Sequence, residues 1–366
     1  MDKPVKILFI LSSSAIVGGG QVSLLELLNS LDRARFEPYA VVGGPGDLQT
    51  KLELICIPTG IAAFPKASPR NFFRMVATVR SLIKIIRMIK PSIIHSNDTR
   101  AHIYAGLAAA RTRIPNIFHY RVSYRDGLYD WLLPLLCRRI VAVSHACAAR
   151  FSALHTHTTT VVYNGVDLNR FTMSDAINPE SDVHIGTIGR LEKAKGIDTF
   201  VRCVAALAPD FPRLRATIIG SGSVAEKASI TDLIKSTNTF DRITLIDSCD
   251  TIAAFMQSLS VYVLLSDNEG LNRSILEAMA CGRVVVATNV GGNPEVISSP
   301  EIGRLVPLGA MAEAVATIKS LLSDPALRTA IGRRARQRIE ERFSMTAHTQ
   351  SMQAVFDRLI IDNGGL

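Results

Sequence analysis

The chain has 366 residues, of which 48% are hydrophobic and 6% aromatic, with 41 Lys and Arg against 32 Asp and Glu. This length predicts two domains, and the predominance of aliphatic over aromatic residues is typical of buried parallel sheets and excludes an extensively disordered chain. The net charge of +9 is uneven, because residues 1–170 carry 21 Lys and Arg against 10 Asp and Glu, so the first half is expected to face something anionic, such as a membrane surface or a phosphorylated acceptor.

The chain begins with lysines followed by a short apolar run, residues 5–11, which has some features of a signal peptide. A glycine turn and an amphipathic segment follow at once, which favours a first β-strand. No uninterrupted run of about 18 apolar residues occurs, so no membrane span is predicted. The six cysteines form no C-x-x-C pair, which indicates reduced thiols and a cytoplasmic protein.

The sequence GGGQ at 18–21 follows this strand and opens a predicted helix. Its spacing differs from G-x-G-x-x-G, and the next strand, 38–44, ends without the acidic residue that would hold a ribose, which argues against dinucleotide binding. Two interpretations stay open. The loop approaches a phosphate through backbone N–H groups and the helix N-terminus, or it is a tight turn without a ligand.

Residues 70–90 form a predicted amphipathic helix with Arg80, Lys84 and Arg87 on one face and apolar residues on the other. Such a helix could lie on an anionic bilayer. It could equally pack its apolar face in the core and leave the basic face in water. The sequence does not decide between these two interpretations.

Short β-rich runs alternate with amphipathic segments along the whole chain, and their continuous aliphatic character predicts burial on both faces. The predicted strands are 5–11, 38–44, 92–97, 116–121, 140–144, 159–164, 183–189, 216–222, 243–247, 261–266, 284–288 and 303–307. The predicted fold class is α/β, with two doubly wound, Rossmann-like parallel sheets that face each other across a cleft. The domains are predicted at 1–168 and 180–344, joined by the Asn-, Asp-, Ser- and Pro-rich linker 164–182.

The strand 183–189 ends at Arg190 and is followed by Lys193 and Lys195. Cations at the carboxyl end of a parallel strand point towards the ligand cleft, where a diphosphate is a common anion. The alternative is that these residues are ordinary surface charges.

Two carboxylates, Glu269 and Glu277, flank the start of the helix predicted after strand 261–266. Over eight helical residues they would be about 12 Å apart, which is too far for both to act on one bond as in a glycosidase. A ligand with hydroxyls at both ends and phosphates between them, at the N–H groups of residues 271–274, fits this spacing. The alternative is a capping box, Ser274-x-x-Glu277, with Glu269 a solvated turn residue.

The motifs GGGQ, VAVSHA, NGVD, IGRLEKAKGID, IIGSGS and EGLNRSILEAMACG occur in this order over nearly the whole chain. With them the chain resembles the retaining GT-B glycosyltransferases of the glycogen-synthase-like and lipopolysaccharide-transferase-like group, the family 4 type. The resemblance implies transfer of a sugar from a nucleoside diphosphate, linked to uridine or guanosine, to an acceptor hydroxyl with retention. It also implies that a C-terminal helix, about 345–366, crosses back onto the N-terminal domain.

The resemblance also implies roles for particular residues. Arg190 and Lys195 would hold the donor diphosphate, Glu269 would lie beside the donor sugar, and His119 would reach the transferred sugar. Glu277 would bind the ribose hydroxyls. The other donor-binding positions are Gly19, Gly20, Gly270, Leu271, Asn272 and Arg273. Many relatives have an aromatic residue and a glycine after Glu269-Gly270, whereas this chain has Leu271-Asn272-Arg273, so the donor sugar is left open.

The resulting hypothesis is a metal-independent hexosyltransferase without a cofactor that acts in the assembly of surface polysaccharide, lipopolysaccharide or glycolipid. Its partners would be a nucleotide sugar, a carbohydrate or lipid-linked acceptor and an anionic membrane surface. The alternatives are a sugar-nucleotide epimerase and a non-catalytic sugar-nucleotide-binding protein of the same fold. Nucleic-acid binding is not predicted, because the chain has no stacking platform or recognition motif.

Overall fold

The chain divides into two units, an N-terminal one formed by Met1–Gly165 with Met345–Leu366 and a C-terminal one formed by Val166–Ser344. The structure is a computed structural model that describes residues 3–121, 131–151, 158–173 and 183–364. The boundary between the two units, at Gly165 and Val166, lies before the boundaries at 168 and 180 expected from the sequence. Residues 174–182 of the predicted linker lie outside the described residues.

The N-terminal unit is built on a seven-stranded sheet in the order β3-β2-β1-β4-β5-β6-β7, with every neighbouring pair parallel. Its strands are β1 Val5–Ile10, β2 Phe36–Val42, β3 Thr59–Ile61, β4 Ile93–Ser96, β5 Asn116–Tyr120, β6 Arg139–Ala142 and β7 Thr159–Val161. The sequence did not predict β3, because three residues are too few to show a period. The strand order reverses between β1 and β4, and ligands of such sheets bind at this switch point, beyond the carboxyl ends of the strands.

Helices cover both faces of this sheet. They are Gly19–Ser30, Asp47–Leu54, Phe72–Ile89, Thr99–Thr112, His145–Ala148 and Met345–Asp362, with 3-10 turns at Pro69–Asn71, Leu133–Leu136 and Ala149–Phe151. On one face Phe9 and Leu24 share a core with Phe356 of the last helix. On the other face Ile10 packs with Leu82 and Tyr104. The last helix thus belongs to the N-terminal core, although it follows the C-terminal unit in sequence.

The helix Phe72–Ile89 lies within the segment 70–90 that the sequence predicted. Its Leu82 and Ile86 are buried in the same core as Tyr104 of the neighbouring helix. The apolar face is therefore occupied by the protein itself, as the second interpretation of this helix expects, and the opposite side of the helix faces outwards. The predicted basic face, Arg80, Lys84 and Arg87, is exposed, whereas Ile83 and Ile85 are partly buried against the same core.

The C-terminal unit has a six-stranded parallel sheet in the order β10-β9-β8-β11-β12-β13. Its strands are β8 His184–Ile188, β9 Arg215–Ile219, β10 Ile243–Ile246, β11 Val261–Leu264, β12 Val284–Thr288 and β13 Arg304–Val306. Its helices are Ile197–Leu207, Val224–Ser236, Ile252–Ser258, Arg273–Ala280, Asn293–Val296, Met311–Ser323 and Pro325–Arg342. The order reverses between β8 and β11, which places a second switch point there. The predicted α/β class with two doubly wound sheets is confirmed.

Candidate functional site

The switch point of the C-terminal sheet brings Lys195 and Glu269 together. Lys195 ends a 3-10 turn, Lys193–Lys195, that follows β8, and Glu269 lies in the loop that follows β11. The Lys195 Nζ donates to Glu269 Oε1 at 2.8 Å, and the Glu269 side chain is only 7% exposed. The two residues are 74 positions apart in sequence and meet because β8 and β11 are neighbours in the sheet.

The backbone around this ion pair is fixed by two further contacts. The Asp267 N–H donates to the Ala194 carbonyl at 2.9 Å, which joins the β11 loop to the lysine turn. The Gly292 N–H donates to the Glu269 carbonyl at 3.2 Å. Gly291 has a φ of +52°, and a Cβ there would lie 1.7 Å from that same oxygen. The role of Gly291 and Gly292 as the support of Glu269 was not predicted from the sequence.

Arg190, expected to bind the donor diphosphate, forms an ion pair with Glu192. Its guanidinium lies 2.5 Å from Glu192 Oε1, and its side chain is about half exposed. Glu192 thus pairs with Arg190 as Glu269 pairs with Lys195, but the Arg190–Glu192 pair is far more exposed. An anionic ligand would therefore compete with two carboxylates for these two cations.

The helix Arg273–Ala280 begins with Asn272 as its N-cap. Asn272 Oδ1 accepts from the backbone N–H groups of Ser274 at 2.9 Å and Ile275 at 3.4 Å. The capping-box interpretation is therefore wrong, since Ser274 lies inside the helix and its hydroxyl donates to Asn272 Oδ1 at 2.5 Å. The expectation that the Ser274 N–H is available to a ligand is also wrong, because the cap already uses it.

Glu277 is paired within its own helix. Arg273 Nη2 donates to Glu277 Oε1 at 3.1 Å, and both side chains are largely buried. A guanidinium holds a carboxylate in a fixed orientation, so Glu277 is a pre-oriented acceptor. Gly270 and Leu271 lie in the buried loop that leads from Glu269 to this helix.

Tyr262 links the end of β8 to the start of the helix Arg273–Ala280. No feature of the sequence predicted this role. Its hydroxyl lies 2.5 Å from Ser274 Oγ and accepts from the Ile188 N–H at 3.2 Å. The contact joins the end of β8 to the first turn of the helix Arg273–Ala280. Burial raises the pKa of Tyr262 above its ordinary value, so the phenol stays protonated and can serve both neighbours.

In the N-terminal unit, Gly19 and Gly20 are the first two residues of the helix Gly19–Ser30, at the switch point between β1 and β4. The preceding Gly18 has no side chain with which to cap this helix. Asp98 holds the neighbouring loop, because its carboxylate accepts from Ser12 N at 2.8 Å and Ser12 Oγ at 2.7 Å. This arrangement suits the phosphate-binding interpretation of GGGQ.

His119 lies on β5 and is buried, with 1% of its surface exposed. Its Nδ1 is 3.3 Å from His95 Nε2 and 3.3 Å from an Nη of Arg121. Burial, with Arg121 as the next cause, lowers the pKa of His119 well below its ordinary value and that of His95 to about 3. Both imidazoles are therefore neutral at physiological pH. Arg121 was not predicted as a site residue, although a cation just beyond a strand end is a usable signal.

Comparison with known proteins identifies the family. Residues 17–170 match Glycosyltransferase Family 4, and residues 170–338 match Glycosyl transferases group 1. The lipopolysaccharide core biosynthesis mannosyltransferase LpcC of Rhizobium leguminosarum bv. viciae is 30% identical over 69% of this chain and 74% of its own length. The chain belongs to the glycosyltransferases of the family 4 type. The motif-based resemblance to glycosyltransferases of the family 4 type is confirmed, and the protein is a transferase.

Two further similarities agree with this assignment. The capsular polysaccharide biosynthesis glycosyltransferase CapM of Staphylococcus aureus is 23% identical to this chain, over 80% of this chain and 84% of CapM. The crystal structure of Anabaena HepE in complex with UDP superposes on this chain with a TM-score of 0.85 at 20% identity. The superposition covers 97% of this chain and all of HepE. The structural similarity confirms the GT-B fold.

Proposed function

We propose that this transferase moves a sugar from a nucleoside diphosphate to an acceptor hydroxyl, with retention at the anomeric carbon, during assembly of surface polysaccharide, lipopolysaccharide or glycolipid. The observation that carries the proposal is the meeting of Lys195 and Glu269 at the switch point, beside the first turn of the helix Arg273–Ala280. A cation suited to a diphosphate and an acceptor suited to hydroxyls lie side by side there. The names of LpcC and CapM and the UDP bound to HepE support the same class of reaction.

The main electrostatic task in such a transfer is to stabilise the charge that develops on the departing diphosphate. Arg190 and Lys195 are assigned to this task, together with the N-terminal end of the helix Arg273–Ala280. Each cation is held in place by a carboxylate, from Glu192 and Glu269 respectively. The proposal involves no metal ion and no cofactor.

The carboxylates and His119 are assigned to the neutral parts of the substrates. Glu277, fixed by Arg273, would accept hydrogen bonds from the ribose of a UDP- or GDP-linked donor. Glu269 would lie next to the donor sugar, near its reacting face. His119 would donate to a sugar hydroxyl. Family membership favours these roles over those of an epimerase, which would need acids and bases around the sugar.

Binding of a nucleotide sugar is testable by thermal unfolding with UDP-, GDP- and ADP-hexoses. A ligand that binds only the folded state stabilises it by about 2.7 kcal/mol at 100 times its Kd, so one donor should raise Tm in a concentration-dependent way. Glu277→Gln should abolish most of the shift, because the amide loses the charge that accepts the ribose hydroxyls. Release of the nucleoside diphosphate on addition of acceptor extract then measures transfer. A shift that persists unchanged in Glu277→Gln, or the lack of any shift, would contradict the donor site.

We also propose that the exposed side of the helix Phe72–Ile89 contacts an anionic membrane surface. Residues 54–97 contain no Asp or Glu, but they contain seven Lys and Arg. The predicted basic face, Arg80, Lys84 and Arg87, is exposed. Large apolar side chains are exposed at both ends of the helix, with Phe73 at 86% and Met88 at 76%. Cations flanked by apolar anchors are typical of a helix that lies in the lipid interface.

Flotation with vesicles tests this contact. We expect the protein to float with vesicles of 30% anionic lipid and not with neutral vesicles, since each nearby Lys or Arg contributes about 1 kcal/mol at such a surface. Phe72→Ser/Phe73→Ser should reduce the bound fraction several-fold, and 0.5 M salt should reduce it further. The matched control is Phe240→Ser, which removes an aromatic ring that is 71% exposed in the C-terminal unit. Equal flotation of both variants would contradict the proposal.

Among the described residues, none of the helices has both the length and the hydrophobicity needed to cross a bilayer.

A further inference from the structure

A cluster of histidines lies beneath the β1–β4 switch point of the N-terminal unit. His95 on β4 and His119 on β5 are both buried, with ring centroids 5.3 Å apart and planes nearly perpendicular. The C-terminal helix supplies His348, whose Nδ1 donates to the Tyr163 carbonyl at 2.6 Å. Arg121, which follows β5, lies against His119. Of these four residues only His119 was predicted from the sequence.

The contacts of His119 determine which of its nitrogens carries the proton. A guanidinium can only donate, so the Nδ1 of His119, 3.3 Å from Arg121 Nη2, must be an acceptor. The ring is neutral, since burial and the nearby Arg121 and His95 hold its pKa well below the ordinary value. Its single proton is therefore on Nε2. Because His119 Nδ1 carries no proton, His95 Nε2, which lies 3.3 Å from it, is the donor in the contact between the two rings.

The Nε2–H of His119 is thus a donor, and it has no hydrogen-bond partner among the described residues although the atom is buried. Buried polar groups are almost always hydrogen-bonded, and the exceptions commonly mark a site completed by a ligand or water. An Nε2–H would pair with an oxygen acceptor. A sugar hydroxyl offers such an acceptor without adding a charge to a buried place.

We propose that Arg121 is a positioning residue that fixes His119 as the Nε2–H tautomer, so that a neutral imidazole presents a donor to a hydroxyl oxygen of the carbohydrate substrate. The substrate part of this inference rests on the function proposed above. The tautomer part does not, because it follows from the contact of Arg121 with His119 and from the burial of the ring.

Arg121 is itself held in one orientation, as a positioning residue must be. Its Nη1 donates to Asn164 Oδ1 at 2.8 Å and to Ser23 Oγ at 3.1 Å, and its Nε donates to Asn97 Oδ1 at 3.1 Å. Asn164 belongs to the NGVD motif, at the start of the predicted linker 164–182. In the structure it anchors the arginine that contacts His119.

Nitrogen NMR of protein labelled with ¹⁵N-histidine tests the tautomer without any substrate. The resonances of His119 are identified by their loss in His119→Gln. We expect the Nε2–H form in the unsubstituted protein and in Arg121→Lys, which retains a cationic donor. Arg121→Met should show exchange between both tautomers. Ser23→Ala removes another partner of Arg121 without touching His119, and it should leave the tautomer unchanged. An Nδ1–H form in the unsubstituted protein would overturn the inference.

A double-mutant cycle on kcat/KM tests the consequence for transfer. If Arg121 acts through His119, Arg121→Met should lower kcat/KM about 10-fold or more in the unsubstituted background and less than about 3-fold in His119→Ala. Arg121→Lys should recover most of the activity. Fully additive losses would mean that Arg121 acts by another route and would overturn the inference. If His119→Ala has no effect on transfer while the tautomer is as expected, the substrate contact fails and the fixing of the tautomer stands.

Discussion

Lys195→Ala is expected to lower kcat about 100-fold, while the fold is kept. The lysine is assigned to the charge of the leaving diphosphate, and removal of one preorganised donor of this kind costs about 100-fold or more, or about 2.7 kcal/mol in the transition state. The neighbouring Glu269 would then lack its partner at a site where it is only 7% exposed. Lys195→Gln is therefore a useful second variant, since its amide can still donate to Glu269 while the charge is removed.

Lys193→Ala is the matched control for this prediction. Lys193 lies on the same 3-10 turn as Lys195, two residues earlier, and its side chain is exposed. We expect its substitution to change kcat less than about 3-fold, because an exposed charge outside the site is screened by water and salt. The measurement is initial-rate kinetics on variants whose circular dichroism matches that of the parent. Near-normal turnover of folded Lys195→Ala would remove Lys195 from the mechanism.

Gly291→Ala is expected to destabilise the C-terminal unit by about 3 kcal/mol or more and to abolish most activity. Gly291 has a φ of +52°, and its Cβ would lie 1.7 Å from the Glu269 carbonyl oxygen, so the loop must move. A left-handed alanine alone costs about 1 to 2 kcal/mol, and the clash adds to that cost. The displaced carbonyl belongs to the residue that holds Lys195, so loss of stability and loss of transfer should appear together.

Gly309→Ala separates the two contributions. Gly309 also has a positive φ, +78°, but nothing lies within 4 Å of the position its Cβ would take. Its substitution should cost only the backbone term, about 1 to 2 kcal/mol, with kcat unchanged. Urea unfolding followed by circular dichroism gives the free energy of unfolding of each variant. If the two alanine variants were equally stable, the close approach of Gly291 to Glu269 would not be what this glycine is needed for.

The fold followed from the sequence to a large extent. Runs such as VKILFI and VVVAT are aliphatic without polar alternation, and only strands buried on both faces tolerate this, so two parallel sheets covered by helices were predictable. The local pattern failed at β3, where Thr59–Ile61 is placed by its pairing with β2. It also left the helix 70–90 undecided, since an amphipathic pattern shows that one face needs apolar contact and does not show what supplies it.

Within the site, the sequence determined the residue types, and only the tertiary structure determined their partners. Lys195 and Glu269 were both named from motifs, but their ion pair depends on β8 and β11 being neighbours. A capping box at Ser274 was one of two interpretations of this stretch, because a serine three residues before a glutamate is a common signal. In the structure Asn272 occupies the cap. Sequence patterns record local periods and spacings, and hydrogen bonds between residues far apart in the chain depend on which strands the fold places side by side.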